Sequence, residues 1–208
     1  GSEMCIRDSC HSIRRGSGKR PGPAVHDDLV RREFRAEKPN QLWLTDISEH
    51  WAGDSKLYLC AVKDVFSNRI VGYSINRRMS SKLAVDALQM ALARRGGKAS
   101  VQGCRVHSDR GSQFRSRRFV ETLRVNGLVG SMGRVGAAGD NAAMESFFAL
   151  LQKNVLNRRR WQSFDQLRLA IVSWIERTYH RRRRQARLGK LTPVEFEMVQ
   201  SVQAAAAA

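Results

Sequence analysis

The chain has 208 residues, of which 42% are hydrophobic, and its 37 Lys and Arg against 19 Asp and Glu give a formal net charge of +18. This length suits one domain with a real core, and the apolar content excludes a disordered chain. So basic a surface field favours a polyanionic partner, with nucleic acid preferred over an anionic membrane surface. We expect no membrane span and no secretory leader, because no apolar run approaches the roughly 20 residues that cross a bilayer.

The two ends of the chain lack the pattern of a folded element. Residues 1–20 are expected to be a disordered tail in which Gly1-Ser2 is typical of a cloning scar, and residues 198–208 a C-terminal tail. Prolines punctuate residues 21–40, which predicts a basic linker with one helical turn near residues 28–34. The folded core is expected over residues 41–197.

Five runs rich in apolar and β-branched residues predict strands. Ser67-Asn68 between the second and third is turn chemistry and predicts a hairpin. The five strands are expected over residues 41–48, 56–64, 69–76, 101–108 and 128–131.

Helical periodicity predicts four helices between and after the later strands. They are expected over residues 82–95, 116–125, 141–157 and 163–179. Three strands followed by alternation with helices predict an α/β fold, a mixed five-stranded sheet flanked by helices.

The four cysteines form no CxxC pair and no zinc-binding spacing. Cys60 and Cys104 lie in apolar runs, which predicts that they are small buried hydrophobes. Nothing in their placement indicates an oxidising compartment.

Three acidic residues stand out against this basic background. Asp46 and Asp109 each lie near the end of a predicted strand, and Glu145 lies within the third predicted helix. Carboxylates in such positions can hold two Mg²⁺ ions roughly 3.5–4 Å apart on either side of a phosphodiester. A single Asp after a strand is more often a turn residue, so position alone leaves the structural interpretation open.

Longer segments carry a family resemblance. PNQLWLTDI, KLYLCAVKDVFSNRIVGYSI, VHSDRGSQF, SMGRVGAAGDNAAMESFFALLQ, RRRW and YHRRRRQARLGKLTPVEF occur in this order over roughly residues 20–197. The chain resembles the catalytic core of bacterial insertion-sequence transposases of the insertion-sequence-three family, which are related to retroviral integrases. The resemblance implies a ribonuclease-H-like fold and a DDE active site made of Asp46, Asp109 and Glu145.

The same resemblance implies a reaction and its partners. The expected activity is cleavage and strand transfer of double-stranded DNA at transposon ends and target, with two Mg²⁺ ions for which Mn²⁺ substitutes. We expect at least a homodimer on DNA, in the bacterial cytoplasm and associated with the nucleoid. Two other functions stay open: an inactive DNA-binding fragment that acts as a regulator, and a ribonuclease-H-like nuclease.

The chain also departs from the family pattern. Many members have Lys or Arg seven residues after the catalytic Glu, whereas this chain has Gln152 there and Lys153 one residue later. Gly139 replaces a frequent aromatic residue, and we expect no helix–turn–helix pair in residues 1–40. Three other residues near the acidic ones are candidates. His107 is interpreted as a DNA contact, as a residue that orients a metal ligand, or as a structural residue. Gln113 could donate a hydrogen bond to a phosphate, and Asn141 either orients a metal ligand or caps the helix.

Two basic blocks are the candidate DNA-binding surfaces. For each block the alternative is an ordinary solvated surface. For the block at the end of the third helix, the positive charges could also serve to complement the helix dipole. The first block is Arg158, Arg159 and Arg160, and the second is Arg181, Arg182, Arg183, Arg184, Arg187 and Lys190.

Overall fold

The computed structural model describes residues 23–133 and 142–206. Its strands are β1 Leu42–Ala52, β2 Ser55–Asp64, β3 Ile70–Asn76, β4 Arg105–Ser108 and β5 Val129–Met132. They form one sheet in the order β3-β2-β1-β4-β5. β1 is central, antiparallel to β2 and parallel to β4, while β2–β3 is antiparallel and β4–β5 parallel. The predicted mixed five-stranded sheet is therefore confirmed.

Six α-helices lie in the described part of the chain. They are α1 Ser81–Arg94, α2 Lys98–Val101, α3 Arg117–Val125, α4 Ala142–Asn154, α5 Phe164–Ser173 and α6 Pro193–Ala206. A π-helix over Trp174–Tyr179 continues α5, and 3₁₀ turns cover Leu156–Arg158 and Ala186–Leu188. No helix in these residues is long and apolar enough to cross a membrane.

The sheet has an apolar core on each face, because alternate side chains of a strand point to opposite sides. Leu42 and Leu44 on β1 pack with α4 and α5. Trp43, between them, packs with α1 and α3 on the other face. A Cβ on Gly72 would lie 2.2 Å from the carbonyl oxygen of Ala87, so α1 can approach β3 only because no side chain intervenes.

The fourth predicted strand is too long. It begins at Arg105, and Lys98–Val101 is instead a short helix. Glycines in left-handed conformations bracket this turn, Gly97 with φ +80° and Gly103 with φ +77°. Val101 is buried in the core although it belongs to this helix. The prediction interpreted this apolar residue as part of the strand.

Helix α6 was not predicted, although its start is encoded locally. The backbone N–H of Glu195 donates to Thr192 Oγ1 at 3.2 Å, and the Thr192 N–H donates to Glu195 Oε2 at 2.9 Å. This is a reciprocal capping box, and Pro193 occupies the first helical position. The expected tail at residues 198–208 thus includes residues of α6 up to Ala206.

The segment before β1 packs along the sheet. The N–H of Met132 donates to the carbonyl oxygen of Asp27, and Val30 is buried in the core shared with α4. The predicted helical turn near residues 28–34 is wrong, because Arg31 and Arg32 have φ of 48° and 65° and the chain turns there. Cys60 and Cys104 are free and buried, as predicted.

Candidate active site

Asp46 lies in the middle of the central strand. It pairs with Ala61 of β2, and it follows Leu42 and Leu44 on the face that packs against α4. Its Oδ1 accepts a hydrogen bond from the backbone N–H of Ile47 at 2.7 Å. Pairing with β2 at this residue, and with β4 at Leu42–Leu44 just before it, fixes the backbone that presents this carboxylate.

The β1–β4 register brings Asp109 to the same level. Leu44 pairs with His107 in this parallel ladder. Asp46 follows Leu44 by two residues and Asp109 follows His107 by two residues, so both lie at corresponding positions on one sheet face. Asp109 comes just after β4 ends, where its Oδ1 accepts from the Gly111 N–H at 2.9 Å.

Gly111 leaves room for two side-chain oxygens. A Cβ there would lie 2.9 Å from Asp109 Oδ1 and 3.1 Å from Gln113 Oε1. The carboxylate and the amide oxygen therefore converge beside a backbone without a side chain. Gln113, a predicted phosphate donor, stands next to Asp109 and is partly exposed.

Glu145 lies in the first turn of α4. Met144, Phe147 and Leu151 are buried in the core, so they fix the rotation of the helix. Glu145 itself is exposed, beside this apolar stripe. The strand face that carries Asp46 and the helix that carries Glu145 thus share one core.

The negative charges of Asp109 and Glu145 both act on Asp46. The pKa of Asp46 is raised to about 7, first by burial, then by the charge of Asp109, and also by the charge of Glu145, against the hydrogen bond from Ile47. Like charges this close disfavour ionisation, and a cation between them would relieve the repulsion. The three predicted acidic residues therefore lie on the same side of the sheet, the side covered by α4.

An all-oxygen donor set of this kind fits Mg²⁺ or Mn²⁺. Within residues 23–133 and 142–206, no three His, Cys, Asp or Glu side chains are grouped tightly enough to hold one ion by themselves. Mg²⁺ commonly takes one or two carboxylates and completes its shell with water and substrate phosphate. The arrangement suits ions shared between protein and a phosphodiester.

His107 is built into the core beneath this site. It is 3% exposed, its Nδ1 lies 3.0 Å from Ser131 Oγ, and its ring meets the edge of Phe34. Of the three interpretations of His107, these contacts favour the structural one. Asn141 and Gly139 lie outside the described residues.

Gln152 and Lys153 are both exposed near the end of α4. Gln152 lies seven residues after Glu145, so the two share a helix face, whereas Lys153 is turned by about 100°. The Gln152 amide donates to Asn157 Oδ1, which engages it within the turn after α4.

The first basic block is exposed throughout. Arg158, Arg159 and Arg160 follow α4, and the guanidinium of Arg159 lies 4.2 Å from the ring centre of Trp161. The second block is divided: Arg183 is partly buried, and its buried Nε has no hydrogen-bond partner among the described residues. Its other members, Arg181, Arg182, Arg184, Arg187 and Lys190, are exposed.

One residue near the site was missed in the sequence. Lys63 is 5% exposed on β2, and its Nζ donates to the carbonyl oxygen of Ala143, in the first turn of α4. The signal was a lysine inside the otherwise apolar run LYLCAVKD.

Two family models described as integrase core domain match the chain, over residues 36–138 and 126–193. The chain is 38% identical over 176 residues to the transposase InsF of insertion sequence IS3 from Escherichia coli, which covers 85% of this chain and 60% of that protein. It is 36% identical over 172 residues to an uncharacterized transposase-like protein from Haemophilus influenzae, covering 83% and 77%. The chain thus spans about three fifths of the InsF transposase.

Solved structures of integrases share the fold of this chain. The HTLV-2 integrase catalytic core domain in complex with magnesium superposes with a TM-score of 0.62 at 20% identity, over 78% of this chain and 99% of that one. A chain of the simian T-cell lymphotropic virus intasome gives 0.63 at 19% identity, over 91% and 63%. The fold is therefore ribonuclease-H-like, as the resemblance implied, and the chain belongs to the integrase core domain family, with insertion-sequence transposases of the IS3 type among its relatives.

Proposed function

We propose that this domain is the catalytic core of a DNA transposase, which cuts DNA strands and joins them to new positions. The observation that carries the proposal is that Asp46, Asp109 and Glu145 lie on one side of the sheet, where burial and the charges of Asp109 and Glu145 raise the pKa of Asp46. In a chain of the integrase core domain family, such a cluster supports metal-dependent phosphodiester chemistry.

The three carboxylates would hold two divalent ions, Mg²⁺ or Mn²⁺. When bound, the ions would activate the attacking oxygen and stabilise the leaving 3′-oxygen. Asp46 and Asp109 supply oxygens from adjacent strands at one level, and Glu145 supplies one from α4. No protein nucleophile and no general-base histidine is required. Gln113, whose amide oxygen lies beside Asp109, would donate its amide N–H groups to a phosphate.

Double-stranded DNA is the proposed partner. The net charge of +18 favours a polyanion, and exposed arginines of both basic blocks supply phosphate contacts. Pairing of two DNA ends requires at least a dimer, and a structural relative is described as part of an intasome. A protein with this substrate would work at the bacterial nucleoid.

The test is a strand-cleavage and strand-transfer assay on labelled duplex oligonucleotides, in Mg²⁺ and in Mn²⁺. We expect products from the native chain and none from Glu145→Gln or Asp109→Asn, both of which should still bind DNA. Glu121→Gln is the matched control, because Glu121 is an exposed glutamate on α3 away from the acidic cluster.

Two outcomes would refute the proposal. DNA binding without product in either metal would leave an inactive DNA-binding fragment. Cleavage without any joining of a supplied 3′-hydroxyl end would indicate a nuclease on the same fold.

A further inference from the structure

Lys63 is a buried cation whose placement needs an explanation. Its side chain is 5% exposed, although lysine is almost never fully buried unless it is paired. Burial lowers the pKa of Lys63 to about 8, and the positive charge of Arg187 acts in the same direction. A residue that stays buried at such a cost is expected to perform a specific task, since an apolar side chain of similar size is often more stable there.

The contact made by Lys63 reaches the helix that carries Glu145. Lys63 Nζ donates to the carbonyl oxygen of Ala143 at 3.0 Å, across 80 residues of sequence. Ala143 is the second residue of α4 and Glu145 the fourth. The hydrogen bond therefore holds the same helical turn that presents the third carboxylate.

The other end of this contact is fixed to the strand that presents Asp46. Lys63 pairs with Leu44 on β1, and Asp46 lies two residues further along the same face. Because both strands belong to the centre of the sheet, the position of Lys63 relative to Asp46 is set by backbone pairing. One side chain thus links the strand that carries one carboxylate to the helix that carries another.

We propose that Lys63 is a positioning residue for the active site: it holds the first turn of α4 at a fixed level on the sheet and so sets the place of Glu145 relative to Asp46 and Asp109. The inference rests on the proposed function, because it gives Glu145 a metal-binding role.

Apolar packing alone does not set this level. Met144, Phe147 and Leu151 press α4 onto the sheet, but dispersion contacts are non-directional and permit small shifts along the helix axis. A hydrogen bond is directional and weakens steeply with misalignment. Mg²⁺ requires near-ideal octahedral geometry at 2.0–2.1 Å, so a shift of about 1 Å at Glu145 is enough to weaken its binding.

The experiment compares the native chain with Lys63→Met, which removes the donor and keeps a long apolar side chain. Hydrogen exchange of peptides covering residues 142–150 is measured without metal, and Mn²⁺ binding by calorimetry. We expect exchange in the first turn of α4 to be at least ~10-fold faster and Mn²⁺ affinity to fall about 10–100-fold, the usual effect of losing a group that orients metal ligands. The melting temperature should stay the same or rise.

Two further variants separate positioning from general stability. Lys63→Arg keeps a cationic N–H donor and should retain the native exchange rate. If Lys63→Met does not fold, faster exchange in the folded Lys63→Arg variant would contradict the inference. Lys82→Met removes an exposed lysine on α1 and should change neither quantity.

The outcomes distinguish this inference from the proposed function. Unchanged exchange in Lys63→Met would show that the Lys63–Ala143 hydrogen bond does not hold the first turn of α4. Faster exchange with native Mn²⁺ affinity would overturn the positioning role. Neither readout needs DNA cleavage. A native chain that makes no product would refute the proposed function and leave these two measurements still decisive for Lys63.

Discussion

Replacing Asp46 with Asn should stabilise the metal-free protein at neutral and alkaline pH. The pKa of Asp46 rises from an ordinary 3.8 to about 7 in the folded state. The folded state therefore binds the proton more tightly than the unfolded chain does, and the free energy of unfolding falls as pH rises from about 4 to about 7. Above pH 7 Asp46 is ionised in the folded protein, and the free energy of unfolding is lowered by the full amount.

The size of the effect follows from the shift. A rise from 3.8 to about 7, at roughly 1.4 kcal/mol for each tenfold change in proton affinity, gives about 4 kcal/mol, and partial contact with solvent reduces this to about 2–3 kcal/mol. For a domain of this length, that corresponds to a rise in melting temperature on the order of 10 °C. At pH 4 the difference should be small, because Asp46 is protonated in the folded native protein.

The assay is urea unfolding of both proteins at pH 4 and pH 8 in the presence of a chelator. Asp54→Asn, in the exposed turn between β1 and β2, is the control and should not shift the midpoint. Added Mg²⁺ should reverse the order at pH 8, because the native carboxylates gain a cation and the variant loses a ligand. An Asp46→Asn variant that is less stable than the native chain at pH 8, or that differs equally at both pH values, would refute the reasoning.

Three further changes test the fold and the DNA surface. Arg95→Met should cost about 3–5 kcal/mol in urea unfolding, because fully buried Asp64 loses its ion pair at 3.1 Å. Gly72→Ala should cost more than about 3 kcal/mol in the same assay, because the new Cβ would overlap the α1 backbone. Arg159→Ala should reduce the slope of log K against log salt for DNA binding by about 1, whereas Arg124→Ala, already paired with a carboxylate, should leave it unchanged.

Local pattern was sufficient for most of the sheet, whereas it left the role of the acidic residues open. Runs rich in apolar and β-forming residues identify β1 and β2, and turn chemistry identifies the hairpin between β2 and β3. What local pattern could not supply is the pairing of Leu44 with His107, which decides whether Asp46 and Asp109 meet. That register depends on contacts between residues far apart in sequence, and the family resemblance supplied the grouping instead.

Burial of charged residues was the other gap. Lys63 and Arg183 look like ordinary basic residues in the sequence, yet Lys63 is buried and Arg183 partly so. Whether a lysine or arginine faces solvent depends on which helix covers it, and no periodicity reports that. The missed helix α6 is different, since Thr192 and Glu195 carry a capping signal that was present and not used.

The alternation of side chains along β1 and β4 has a consequence for how such a gene can change. Asp46 and Asp109 share a sheet face only while both strands keep their phase. A single-codon insertion or deletion between residues 42 and 46, or between 105 and 109, would turn one carboxylate into the opposite core, where Trp43 and Val106 pack. Length changes of this kind should be absent from these two short windows in active copies.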